Sequence, residues 1–215
     1  HLKINSLSTT STHFTGTLYE LSTLKFLKDY LKVTGLVHSG GTSDNGIDIR
    51  GYWDLSQYVT LAKTENIEEE DIIKKKTIIV NGSRIKPLIL KKLYNGNNPL
   101  KINLLVQCKA YQSKLPPTTI RELSGIFNYN VNNLNKNKSI LMIVTPNTLT
   151  HQALREFNNC RFGMMLVNLK LLGLKDSKMD RFTIASYKGG TLDGFYLNPY
   201  CKAMLEGIDI NTEMK

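Results

Sequence analysis

The chain has 215 residues, 41% hydrophobic and 21% charged, enough for one large domain or one domain with a long insertion. Lysine and arginine number 28 against 18 acidic residues, a net charge of +10, which favours a polyanionic partner, with nucleic acid ahead of an anionic membrane. No apolar run approaches the roughly 18 residues of a membrane span, and Cys108, Cys160 and Cys201, without metal-type spacing, read as reduced thiols in a reducing compartment.

Residues 1–15 are Ser/Thr-rich and read as a loose lead-in. Leu18, Leu21, Leu24, Leu27 and Leu31 then recur at helical spacing, so the pattern predicts an amphipathic helix over about 17–33, ended by Gly35. Glu20 falls in the first turn of that helix, where a carboxylate complements the helix dipole. Leu36-Val37-His38 is a brief extended piece. It leads into Gly40-Gly41-Thr42-Ser43-Asp44-Asn45-Gly46, a permissive turn that Asp44 helps to shape. In Ile47-Asp48-Ile49 the alternation puts the two isoleucines on one face and Asp48 on the other. An acid between apolar strand neighbours needs either a hydrogen-bond network or a cation to offset its burial.

The stretch 54–100 has a different character. An acidic run (Glu68 to Asp71) is followed by a basic one (Lys74 to Lys76), a β-like Thr77–Val80, a turn at Asn81-Gly82 and a basic amphipathic piece near Ile85–Leu93. It reads as an insertion made of a hairpin and a short helix, with no catalytic spacing. Ile102–Tyr111 is a strand with a polar end, on which Gln107 and Lys109 emerge from one face and Cys108 from the other. Pro116-Pro117 opens a helix whose buried face is Ile120, Leu123, Ile126 and Phe127. Ser139–Thr145 is apolar throughout, as a strand covered on both faces is. A helix over 148–158 and a buried strand over Phe162–Leu169 complete a β-α-β-α-β alternation, which predicts an α/β fold with parallel strands in this half. In the tail, Phe182–Tyr187 suits an edge strand and Pro199–Leu205 a short helix.

Asp48, Gln107 and Lys109 are thus polar residues on otherwise apolar strands, with Glu20 on the preceding helix. An acid at one strand end and a polar-x-Lys at the next suit metal-assisted phosphodiester hydrolysis. Plainer roles stay open at this point. Asp48 could cap a turn, Gln107 could bond backbone, and Lys109 could be a strand-end lysine reaching solvent.

The order Glu20, Gly-Gly-x-x-Asp-x-Gly-Ile-Asp ending at Asp48, and Val106-Gln107-Cys108-Lys109-Ala110 resembles the PD-(D/E)XK nuclease superfamily. The nearest branch is that of the Mrr-like restriction endonucleases, whose third motif has Gln-x-Lys. Ile120–Gly125, Ile143–Pro146 and the Thr150–Phe157 helix extend the resemblance over about residues 16–170. The insertion and the Asn/Lys-rich composition further resemble the fungal mitochondrial "required for respiratory growth" family.

The resemblance implies a restriction-endonuclease-like αβββαβ core with a mixed central sheet flanked by helices, spanning 16–170 with the insertion at about 54–100 and a C-terminal extension over 171–215. It implies a Mg²⁺-dependent DNA endonuclease, Mn²⁺ substituting, that cuts by in-line attack of water. Asp48 and Glu20 would be metal ligands, Gln107 would stand at the third motif's carboxylate position, and Lys109 would be the catalytic lysine. Gln107 departs from the commoner acid and lowers the site's negative charge. His38, Tyr111, Lys114 and Arg121 are candidate phosphate contacts, beside a structural role for the histidine and ordinary surface roles for the others. Two-strand cutting would call for a homodimer. The family likeness also implies a mitochondrial (matrix) protein whose presequence precedes His1. The alternative is a non-catalytic nucleic-acid-binding protein that retains the nuclease fold, in mitochondrial DNA maintenance or RNA metabolism.

Overall fold

The computed structural model describes residues 11–39, 45–59, 77–90 and 99–211. The Gly40–Asp44 part of the glycine turn, the acidic and basic runs at 68–76, and the end of the amphipathic piece lie outside the described residues.

The first helix, α1, runs from Thr12 to Asp29. It starts five residues earlier than the leucine spacing predicts because Ser11 caps it, its hydroxyl accepting from Phe14 N–H at 3.1 Å. It also stops earlier. Gly35 does not end it but sits inside β1 (Thr34–His38) at φ +60°. Glu20 consequently lies in the middle of α1, and no acidic residue occupies the first turn. The helix-dipole account of Glu20 therefore falls.

Six strands form the central sheet in the order β1-β2-β5-β6-β7-β10, where β2 is Ile49–Asp54, β5 Lys101–Cys108, β6 Ser139–Thr145, β7 Gly163–Leu169 and β10 Leu192–Leu197. The β1/β2, β2/β5 and β7/β10 pairs are antiparallel and β5/β6 and β6/β7 parallel, so the sheet is mixed. A two-stranded hairpin of β3 (Ile78–Val80) and β4 (Ser83–Ile85) stands between β2 and β5. Its turn residues Asn81 and Gly82 both have positive φ, as a two-residue hairpin turn favours.

Helices cover both faces. On one face α1, the hairpin and the short α4 (Pro199–Met204) bury Phe26, Leu27, Ile85 and Met204 against Ile49, Trp53, Val106 and Met142. On the other, α2 (Pro117–Asn130) and α3 (His151–Asn159) bury Ile120, Leu123, Phe127 and Phe157 against Leu105, Leu141 and Ile143. Every residue of β6 is buried, which explains its unbroken apolar run. The order α1-β1-β2-β5-α2-β6 is the αβββαβ core, a mixed sheet flanked by helices.

Two local expectations are corrected. Ile47 and Ile49 do not share a face: Ile47 packs in the α2/α3 layer and Ile49 in the α1 layer. Strand alternation begins only at Ile49, because Asn45 (φ +51°) and Gly46 (φ +75°) still turn the chain just before it. Phe182–Tyr187 is no edge strand. It contains a 3-10 turn at Ile184–Ser186 and leads into β9 (Tyr187–Lys188), which pairs with β8 (Gly173–Leu174). The sheet edge is β10, whose Leu-Asp-Gly-Phe-Tyr-Leu sequence is partly exposed and lacks clean alternation.

Candidate active site

The site lies where β2 begins and β5 ends. Gly46 reaches it through a close approach, since a Cβ there would stand 2.5 Å from Ile126 of α2. Asn130 Nδ2 donates to Asn45 O at 3.2 Å, tying the turn to the C-terminal end of α2. The backbone of Asp48 is held from both sides: its N–H donates to Val106 O at 3.0 Å, and its carbonyl accepts from Ser39 N–H at 2.8 Å. Lys109 N–H donates to Val144 O at 2.8 Å and extends the parallel ladder one residue past β5. Ladder bonds thus fix the backbones that carry the two charged groups.

Asp48 is only 6% exposed and Gln107 8%. Gln107 Nε2 donates to Asp48 Oδ2 at 2.8 Å, and Cys108 N–H donates to the same oxygen at 2.6 Å. A buried carboxylate is tolerated when such donors meet it. Because the amide nitrogen turns to Asp48, the oxygen of Gln107 is left buried with no hydrogen-bond partner among the described residues, an arrangement that costs free energy unless something else meets that oxygen.

Lys109 projects on the α2 side, with Nζ 4.0 Å from Glu122 Oε1 and 5.9 Å from the Tyr111 ring centroid. Cys108 faces the α1 layer, as the alternation of β5 requires. Burial and the charge of Asp48 push its thiol well above the usual range, and Glu20 adds to this. A hydrogen bond from Thr23 and the charge of Lys109 oppose it. Asp48, Glu20 and Lys109 therefore all act on one partly buried thiol.

Glu20 is turned toward His38, whose Nε2 lies 2.7 Å from Glu20 Oε2. The two residues expected as ligand and phosphate contact meet each other across α1 and β1. Tyr111 and Lys114 are exposed on the loop after β5. Arg121 lies on α2 with Nε 3.3 Å from Glu156 Oε1, an exposed ion pair with α3. Sequence reasoning missed Glu122 as the partner of Lys109. Its position one residue before Leu123 of the buried face was the available signal.

Among the described residues no group of three or more His, Cys, Asp or Glu is placed to hold a metal ion. Among the described residues, the oxygen donors at this end of the sheet include the Asp48 and Glu20 carboxylates and the amide oxygen of Gln107. Hard oxygen donors of this kind fit Mg²⁺, which takes one or two carboxylates and retains water.

The family model described as Required for respiratory growth protein 7 matches residues 11–205. The chain belongs to that family. It is 32% identical over 218 residues to the Required for respiratory growth protein 7, mitochondrial, of Saccharomyces cerevisiae strain S288c, covering all of this chain and 87% of that protein. The family's Zygosaccharomyces rouxii protein is 31% identical over 206 residues, covering 95% of this chain and 82% of its own length. These relatives are mitochondrial by name, the location the sequence resemblance implies. Among solved structures, the MspJI restriction endonuclease in complex with a 27-mer oligonucleotide overlaps 73% of this chain and 26% of its own. At 13% identity and a TM-score of 0.37 that overlap carries no argument.

Proposed function

We propose that the chain is a metal-dependent DNA endonuclease of the mitochondrial matrix, hydrolysing phosphodiester bonds by in-line attack of water at the Asp48–Gln107–Lys109 strand ends. The observation that carries the reading is the buried Asp48–Gln107 pair, whose amide oxygen has no partner among the described residues, two residues from Lys109 on the same strand face. A divalent cation held by Asp48 and Gln107, with Glu20 as a further carboxylate, would polarise the phosphate and acidify a bound water. Lys109 would supply positive charge beside developing negative charge, with the exposed Glu122 carboxylate 4.0 Å from its ammonium. The net charge of +10 supports binding to backbone phosphates, with affinity that falls steeply as salt rises. Cutting both strands would bring two copies together as a homodimer.

One observation favours the binding-only reading: Asp48 Oδ2 already accepts two hydrogen bonds, which stabilise the carboxylate without a cation. The test is cleavage of labelled linear, nicked, branched and single-stranded DNA with Mg²⁺ or Mn²⁺, wild type beside Lys109→Ala. Metal-dependent cutting that disappears in the variant, with DNA binding retained, is the expected result. Salt-sensitive binding without cutting on any of these DNAs would establish the binding-only reading instead.

A further inference from the structure

An open cleft of about 370 Å³ lies on the α2 face of the sheet, over β1, β2 and the first half of β5. The active-site reading makes no use of it. Its lining includes Arg50, Tyr52, Asn103, Asn130 and Asn132. Strand alternation explains the set: Ile49, Gly51 and Trp53 are buried, while Arg50 and Tyr52 between them are half-buried and exposed. Asn103 is paired with Tyr52 across the β2/β5 ladder.

These side chains have capacity to spare. Among the described residues the Arg50 side chain makes one hydrogen bond, from an Nη to Asn130 Oδ1 at 2.5 Å, and no carboxylate pairs with it. Asn103 donates one long bond, 3.3 Å, to Ser139 Oγ. Tyr52 is 52% exposed, with one ring edge against Gly35, where an added Cβ would stand 3.0 Å from Cδ2. A guanidinium, two or more amides and a half-exposed aromatic ring in one cleft match a flat ligand that stacks and hydrogen-bonds along its edge. Arginine and asparagine are the side chains that read base edges, and aromatic rings are the usual platforms for unstacked bases.

We propose that this cleft holds an unstacked nucleobase of the DNA strand, stacked on Tyr52 with its edge read by Arg50 and Asn103. The proposal takes its ligand class from the nucleic-acid reading above. Asn103 and Gln107 lie four residues apart on one strand and so face the same side, roughly 13 Å from each other. A strand whose phosphate sits at the β5 end therefore has a base within reach of the cleft, giving substrate selection to a surface distinct from the chemistry.

The experiment measures binding of single-stranded DNA carrying 2-aminopurine, in EDTA so that cleavage plays no part, with wild type, Tyr52→Ala, Tyr52→Phe and Asn103→Ala. Tyr52→Ala should weaken binding about tenfold, the scale of one lost base stack, and Tyr52→Phe should restore it, because stacking needs the ring and not the hydroxyl. Asn103→Ala should reduce discrimination among the four bases at one position while leaving affinity for an abasic strand unchanged. Thermal melts confirm that each variant is folded.

Equal affinity of folded Tyr52→Ala and wild type overturns the cleft proposal. If Lys109-dependent cleavage survives in that same variant, the nuclease reading stands without it. Tyr52-dependent binding with no cleavage supports the cleft and overturns the nuclease. No binding of single-stranded DNA by wild type overturns the cleft proposal, the nuclease reading being decided separately by metal-dependent cleavage, and equal binding of a free nucleotide and the oligonucleotide overturns the assignment to a strand.

Discussion

Gln107 Nε2 donates to Asp48 Oδ2 at 2.8 Å, and this bond meets the charge of a carboxylate that is almost wholly buried. Gln107 is a donor to the neighbouring carboxylate, a role a glutamate could fill only when protonated. The same bond turns the amide oxygen away, where it is buried and without a partner among the described residues.

Replacing Gln107 with glutamate would put two buried carboxylates side by side. Like charges at this distance disfavour double ionisation, and the lost hydrogen bond costs more. Gln107→Glu should be destabilised by about 1–3 kcal/mol in metal-free buffer at neutral pH. Millimolar Mg²⁺ should recover more stability in the variant than it adds to wild type, since a cation compensates the second charge. Differential scanning fluorimetry with and without Mg²⁺ measures both. A melting temperature indifferent to Mg²⁺ in both proteins would remove the metal from this site.

Glu20 sits mid-helix against His38 at 2.7 Å, and the pair is partly exposed. Such a pair contributes no more than about 1 kcal/mol to stability. If the carboxylate also serves the reaction, Glu20→Gln should slow single-turnover cleavage about tenfold or more while barely moving the melting temperature. His38→Gln should retain most of the rate. Wild-type turnover in Glu20→Gln would confine Glu20 to holding His38.

Asn198 is fully buried and joins three elements. Its Oδ1 accepts from Met164 N–H at 3.1 Å and Cys201 N–H at 2.8 Å, and its Nδ2 donates to Phe157 O at 3.3 Å and Phe162 O at 3.0 Å. Asn198→Ala would leave these backbone groups unsatisfied inside the core, so urea denaturation should show a loss of roughly 3 kcal/mol or more. Asn198→Asp keeps the acceptor that caps α4 and should lose less than the alanine variant if capping dominates.

Stability should decline on the alkaline side. Burial raises the thiols of Cys108 and Cys201 and the phenols of Tyr19 and Tyr200 in the folded chain. Above the ordinary thiol value of 9.0 the unfolded chain releases protons that the folded chain retains. Folded protein then binds more protons than unfolded, so stability present below about pH 9 is lost as pH rises. Urea midpoints at about pH 8 and about pH 10 should differ, the higher pH giving the lower midpoint. Equal midpoints would mean that these groups ionise as freely in the folded chain.

Much of the architecture is local and was legible. Two-sided burial of β6 shows as an unbroken apolar run, Pro117 marks the start of α2, and Asn81-Gly82 marks a hairpin turn, because each follows from the residue's own conformational or solvation preference. Asp48, Gln107 and Lys109 stood out for the same reason, as polar residues at the ends of apolar strands. Pairing across distant segments was not legible. Glu20 meeting His38, Lys109 meeting Glu122, and Asn198 binding four backbone groups depend on which elements pack together. So does the choice of β10 over 182–187 as the edge strand, since its ladder with β7 outweighs its weak alternation. The sequence by itself determined most element types and which polar side chains stand at the strand ends. Only the tertiary structure decided the direction of Gln107's amide and the gathering of Arg50, Tyr52 and Asn103 into one cleft, because hydrogen-bond geometry and strand register are properties of the packed chain.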